Sequence, residues 1–199
     1  QTLDRLAGIS SINVGVGVSK PVIRGLSNNR IIVLTDNIKQ EGQQWGTDHG
    51  LEIDQYDAEE IEILKGPASL QYGSDGLGGV INILPEKIPA KGTINGVVLG
   101  NFRSNNMHGG GSARLNVNLN NVFGSLRYSH QQFGDYSVPA DSFIYNTFVL
   151  PINNRLLKNT AGTERNISGY AGILRVWGLT RIDVSHYSLD VGLFSGAIG

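Results

Sequence analysis

The sequence predicts a mainly β protein in two parts: a mixed α/β segment over residues 1–88 and a run of antiparallel strands over residues 89–199. Three observations carry this reading. Four consecutive apolar residues at Ile31–Leu34 suit a central strand buried on both faces, and Val80-Ile81-Asn82-Ile83 suits a further strand. Between them lies a glycine-rich stretch opened by Pro67, which cannot continue a central strand but can begin a short helical piece over Ala68–Tyr72. From Lys91 onward the pattern changes to period-two alternation, unbroken over Ala113–Leu119, where Ala113, Leu115, Val117 and Leu119 share one face and Arg114, Asn116 and Asn118 the other.

In chain order, Leu3–Ile12 has apolar residues at roughly helical spacing and reads as a short helix end or connector. Val14–Val18 alternates with glycine, Pro21–Leu26 is extended, and Asn28-Asn29 is a turn. Arg30–Ile38 is the clearest central strand, and Glu41–Gly50 a polar loop around Trp45. Ile61, Ile63 and Leu64 form a strand that Lys65-Gly66-Pro67 ends. The prolines of Leu84–Pro89 mark a linker. Beyond it, strands are expected over Thr93–Phe102, Ala113–Leu119, Val122–Ser129, Ile167–Trp177 and Thr180–Tyr187. Short turns at 120–121 and 178–179 stand at one end, and a long polar excursion over about 130–164 at the other. Membrane barrels have that asymmetry, and their alternating strands keep mean hydropathy low.

Composition sets bounds. The chain has 199 residues, 27 of them Gly, and no Cys, so disulfides and thiolate metal sites are out of consideration. No apolar run approaches the roughly 18 residues of a membrane helix, and no signal peptide is visible at Gln1. Residues 1–88 carry seven basic and twelve acidic side chains, and residues 89–199 nine basic and five acidic. This opposition is what one part enclosed by the other would show. A nucleic-acid partner is not expected without a basic face.

The stretch from Glu59 to Ile83 (EEIEILKGPASLQYGSDGLGGVINI) resembles the plug domain of TonB-dependent outer-membrane receptors, which carry E-x-I-E-[VI]-L-[RK]-G-P-x-S-x-x-Y-G-x-x-x-x-G-G-x-[IV]-N-[IV]. Ile23-Arg24-Gly25 and Arg30–Asn37 resemble two further plug strands, with Asn37 where the family has Gly. Asn tolerates the left-handed geometry that Gly supplies. The resemblance implies a plug over 1–88 followed by the first strands of a transmembrane β-barrel over 89–199. Five strands cannot close a barrel, so the chain reads as a fragment. It further implies import of a scarce nutrient, driven by the TonB-ExbB-ExbD complex, in the outer membrane of a Gram-negative cell and in contact with its lipid. Arg24, Glu60 and Glu62 would hold the plug in the barrel.

The most chemically loaded spot is Asp48-His49, with Asp54 near and Glu41 and Glu52 flanking. From Asp36 to Glu62 there are nine carboxylates against one lysine, Lys39. Imidazole with carboxylate oxygens suits a borderline divalent ion such as zinc, although a solvated acidic loop has the same composition. Thr47–Asp54, Glu86–Lys91 and Gly134–Pro139 are similar to the zinc-uptake branch of these receptors, which implies Asp48 and His49 as metal ligands completed by barrel residues. Trp45 suits stacking on a ring-shaped ligand or anchoring its own loop. Trp45, Asp48, His49 and Asp54 are thus the candidate ligand-binding residues, with zinc or another divalent metal, free or chelated, as cargo. His130 and His186 read as structural or lumen-facing, and Tyr128, Trp177 and Tyr187 as residues for aromatic belts. Gly73–Gly79 lacks the Lys-Ser/Thr of a phosphate loop, no Ser sits in a nucleophile elbow, and no catalytic role is expected. The alternatives are a ferric siderophore, haem or vitamin receptor of the same fold, or a surface binding protein that does not transport.

Overall fold

The computed structural model describes residues 8–14, 17–41, 50–84, 86–145 and 147–193. It divides into two compact units, Gln1–Lys87 and Ile88–Gly199.

In the first unit, β1 (Ile9–Val14) pairs antiparallel with β2 (Val18–Ile23). The expectation of a helix end over Leu3–Ile12 fails where it can be seen. Ile9 is buried in the core, and Ile9–Val14 takes its hydrogen bonds from β2 instead of from its own turn. A four-stranded sheet follows in the order β4-β3-β6-β5, built from β3 (Ile31–Thr35), β4 (Ile38–Gln40), β5 (Ile61–Leu64) and β6 (Gly79–Ile83). β3 and β6 are parallel, and the outer pairings are antiparallel. The strand expected over Arg30–Ile38 is therefore two strands. Asp36 and Asn37, with φ of 54° and 63°, form the tight turn between them. Two adjacent left-handed residues match the twist of a hairpin, and Asp and Asn are among the few residues that accept this.

β3 is buried on both faces, as its unbroken apolar run predicts, and β6 is buried throughout, its Asn82 included. Ile31, Val33 and Ile81 pack with Ile9 and Ile23 on one side, and Ile32, Leu34 and Val80 pack with Leu64 and Tyr72 on the other. Gly66–Tyr72 is helical but of the tighter 3-10 kind, and a second 3-10 turn spans Ser74–Leu77.

The second unit is dominated by a five-stranded antiparallel sheet in the order β15-β14-β9-β8-β7. Its strands are β7 (Thr93–Arg103), β8 (His108–Leu119), β9 (Val122–Phe133), β14 (Gly162–Arg175) and β15 (Gly178–Val191). All five are longer than the alternation alone indicates. Asn120-Asn121 is the two-residue turn expected. The other short turn is Val176-Trp177 instead of 178–179, since Arg175 faces Gly178. At the opposite end, the excursion between β9 and β14 contains β10 (Tyr136–Ser137), β11 (Ser142–Tyr145), β12 (Phe148–Pro151) and β13 (Leu156–Leu157), with β11 paired to β12 and β10 to β13.

Candidate functional site

Residues 42–49 lie outside the described residues, and with them Trp45, Asp48 and His49. The flanks of this segment are described. On one side, Lys39 on β4 reaches Asp75 at 3.0 Å and Glu41 at 3.7 Å, and the hydrogen bond to Asp75 holds its ammonium above its ordinary pKa. On the other, Leu51 and Ile53 pack on the core. Asp54 is buried, only 6% exposed, and its Oδ1 accepts the Tyr56 N–H at 3.0 Å, a local turn that its short carboxylate favours. Among the described residues there is no cluster of three or more His, Asp or Glu able to hold a metal ion. Glu60 pairs with Lys87 at 2.9 Å within the same unit, and Arg24 takes a left-handed backbone with φ of 52°.

The large sheet carries the more telling geometry. Its alternation is inverted relative to a soluble sheet. On β8 the polar residues Ser112, Asn116 and Asn118 are buried, while Ala113, Leu115 and Leu119 on the other face are exposed. On β9, Ser125, Arg127, Ser129 and Gln131 are buried, with Val122, Leu126 and Tyr128 exposed. The exposed apolar positions line up across the sheet: Val98, Ala113, Tyr128 and Ile167 form one row, and Leu115, Leu126 and Val184 belong to the next. Val98 is 82% exposed and Val184 70%. Water would make so continuous an apolar face costly, whereas a bilayer requires it.

Hydrogen bonds link some side chains of the buried polar face across strands, while Ser112 Oγ, Asn118 Oδ1 and Asn166 Oδ1 are buried without such a bond among the described residues. Asn116 Nδ2 donates to Asn95 Oδ1 at 3.0 Å and Ser125 Oγ to Asn116 Oδ1 at 2.7 Å. Asn166 Nδ2 donates to Ser129 Oγ at 3.1 Å. His108 Nε2–H donates to Gln131 Oε1 at 2.8 Å. To reach it, Gln131 crosses Gly110, where a Cβ would stand 2.8 Å from Gln131 Cγ. Arg181 stacks 3.8 Å above the Tyr170 ring and also holds Asp183.

Residues 1–80 match the family described as TonB-dependent Receptor Plug Domain. These residues are the plug domain of a TonB-dependent receptor. Among curated relatives, the iron-regulated outer membrane virulence protein of Vibrio cholerae serotype O1 is 34% identical over 93 residues, which is 42% of this chain and 14% of that protein. The vitamin B12 transporter BtuB of Photobacterium profundum is 28% identical over 92 residues, covering 46% of this chain and 15% of its own length. The chain thus matches only about a seventh of these relatives. Among solved structures, the FrpB iron transporter of Neisseria meningitidis superposes with a TM-score of 0.73 at 19% identity, over 94% of this chain and 28% of that one. The copper transporter OprC gives 0.67 at 16% identity, over 97% and 28%. These similarities extend the fold across both units: a plug, then strands of a β-barrel.

The plug and barrel strands sort the remaining sequence expectations. His130 and His186 fall on the face that carries the apolar residues, not on the polar one, because His130 faces Gly111 and Arg165 while His186 faces Ile167. Tyr128 is exposed on that same face. Tyr187 lies on the other face, opposite Asn166, and Trp177 sits in the turn instead of on a strand. Asp135, at the root of the long excursion, was not singled out by its sequence context. Its Oδ1 accepts Thr160 N–H at 2.9 Å and Ala161 N–H at 3.2 Å, partners 25 and 26 positions along the chain.

Proposed function

We propose that the complete protein is a TonB-dependent outer-membrane receptor that imports a scarce nutrient, with a divalent metal ion or metal chelate as cargo. The observation that carries the receptor reading is the inverted burial of the five-stranded sheet beside a plug domain, since an apolar outer face and a polar inner face describe a barrel wall in lipid. The curated relatives include an iron-regulated outer membrane virulence protein and a vitamin B12 transporter, names that fit an importer. Energy would come from the TonB-ExbB-ExbD complex, and outer-membrane lipid would cover the apolar face. The metal reading rests on Asp48-His49, an imidazole beside a carboxylate in an acid-rich loop, which is a donor set that zinc accepts.

The names of the curated relatives favour a second reading of the cargo. They include a vitamin B12 transporter and a heme/hemopexin utilization protein of Haemophilus influenzae, 36% identical over 84 residues. The deciding experiment is calorimetric titration of the full-length receptor, detergent-solubilised and stripped of metal, with zinc, nickel and copper. The metal reading expects binding at roughly micromolar Kd or tighter (about −8 kcal/mol), lost in the Asp48→Ala/His49→Ala variant. Tight zinc binding unchanged in His49→Ala would remove the assignment. No binding by the wild type would move the cargo to ferric siderophore, haem or vitamin.

A further inference from the structure

We propose that Arg165 and Arg175 on β14 seat the sheet in the bilayer by meeting lipid phosphate groups at the two borders of its hydrocarbon. The inference rests on the barrel reading above and adds which residues meet the headgroups. On the outward face of β14 the residues run Arg165, Ile167, Gly169, Ala171, Ile173, Arg175. Two arginines thus bracket four uncharged positions. Ten residues of strand rise about 33 Å. At the tilt of about 40° usual for membrane barrels, that projects to about 25 Å, the height of the apolar band such barrels present to lipid.

Neighbouring strands draw the same two borders independently. Level with Arg165 the register places His130 on β9 and Ser188 on β15, and one step farther out Gln132, Thr163 and Asp190. Asp190 is the one carboxylate on the outward face among the described residues of these strands. Inside that border the outward positions are Tyr128, Leu126 and Val122 on β9 and Val184 and Ile182 on β15, interrupted by Gly124, by His186 next to this border and by Thr180 next to the other. At the other border Arg175 adjoins the Val176-Trp177 turn, and the Asn120-Asn121 turn lies alongside, with Leu174 N–H donating to Asn121 O at 2.9 Å. Both guanidiniums are exposed, and neither has a hydrogen bond or ion pair among the described residues. A planar fork of donors at the edge of an apolar band fits the phosphate oxygens of a headgroup, which it engages with two hydrogen bonds at once.

The test uses the full-length receptor in lipid bilayers with phosphate headgroups. A nitroxide is placed by single substitutions to Cys at Thr163, Ile167, Leu126 (level with Gly169), Ala171, Ile173 and Trp177, with the inward Ser168 as reference. Collision with dissolved oxygen should peak at Leu126 and Ala171 and fall on both sides toward Thr163 and Trp177. A peak displaced by two or more of these positions overturns the proposal while leaving the barrel reading intact. A profile no higher than Ser168 throughout removes the barrel reading itself. The phosphate contact is read separately, from the thermal midpoint in phosphate-headgroup bilayers against uncharged glycolipid bilayers. Wild type should gain several degrees from phosphate, and Arg165→Gln and Arg175→Gln should each lose part of that gain. If both variants keep all of it, the arginines do not bind phosphate and the proposal fails.

Discussion

Asp135 shows how much one carboxylate can organise. It gathers the backbone N–H groups of Thr160 and Ala161 and faces Lys158 at 3.7 Å, while Thr160 Oγ1 accepts Tyr136 N–H at 3.1 Å. Together these contacts close the root of the long excursion. The hydrogen bond from Thr160 is the main reason its carboxyl titrates below the ordinary 3.8, with Ala161 and Lys158 adding to it against the opposing effect of burial. A depressed carboxylate contributes stability that is fully present above the unfolded pKa and is lost as pH falls through the lower, folded value. Hydrogen-exchange protection of the Thr160 and Ala161 amides should therefore hold down to about pH 4 and disappear only below it. Asp135→Ala should lose that protection at every pH, while Asp135→Asn, which keeps an acceptor oxygen, should retain most of it. Equal protection in wild type and Asp135→Ala would show that the root is closed by other contacts. Sequence could not announce this residue, because its partners lie 25 positions away and nothing local marks them. Asn37 is a different case: residue type read alone left it inside a strand, and only the resemblance, which has Gly there, pointed to the left-handed backbone that Asn accepts.

The glycine-rich element between β5 and β6 is a packing device. Ser69 is buried, and its hydroxyl proton is shared between Gly66 O at 2.8 Å and Gly76 O at 2.5 Å, which ties the first 3-10 turn to the second. The tie demands close approach: a Cβ on Gly76 would stand 2.8 Å from Ser69 O and 3.4 Å from Ile32 Cδ1. Ser69→Ala leaves buried carbonyl oxygens without their donor and should cost about 1–3 kcal/mol. Gly76→Ala adds a clash with backbone that cannot move aside cheaply and should cost at least as much. Both should appear as faster amide exchange in β6 of the full-length receptor, with β8 and β9 unaffected. Faster exchange confined to Ser74–Leu77, or no change at all, would count against the tie. Regular elements like β8 were legible because alternation is a property of adjacent residues. Their ends were not: β9 runs on to Phe133 and β14 begins at Gly162, where pairing between strands sets the limit and the pattern has faded. The helix end or connector expected over Leu3–Ile12 gave way to strand from Ile9 for the same reason, since β2 supplies the hydrogen bonds that decide it.

On the scale of the whole molecule, the two units bury their apolar residues by opposite rules. In Gln1–Lys87 the core is apolar: Ile23, Ile31 and Val33 are fully buried, and residues 1–88 carry twelve acidic against seven basic side chains. In Ile88–Gly199 the buried face of β8 and β9 is largely polar, with Phe123 and Phe133 among it, and the outward face carries exposed apolar residues such as Val98, Leu115, Leu126 and Val184. Alternation alone does not say which face is buried, so the sequence was equally compatible with a soluble sandwich over residues 89–199. The resemblance of the preceding segment to a plug domain was what tipped the reading toward lipid. The difference predicts how the units behave apart. Residues 1–87, produced alone, should stay in the aqueous phase on detergent phase separation. Residues 88–199 should partition into detergent and precipitate without it, because exposed apolar surface costs roughly 25 cal/mol per Å² in water and this face is continuous over five strands. The hydrogen bonds among Asn95, Asn116 and Ser125 would then hold the polar face together without a soluble core behind it. A soluble, monomeric 88–199 segment would mean that the apolar face is covered by its own chain, and the barrel reading would lose its main support. Replacing Leu115, Leu126 and Val184 with serine together should shift that segment toward the aqueous phase.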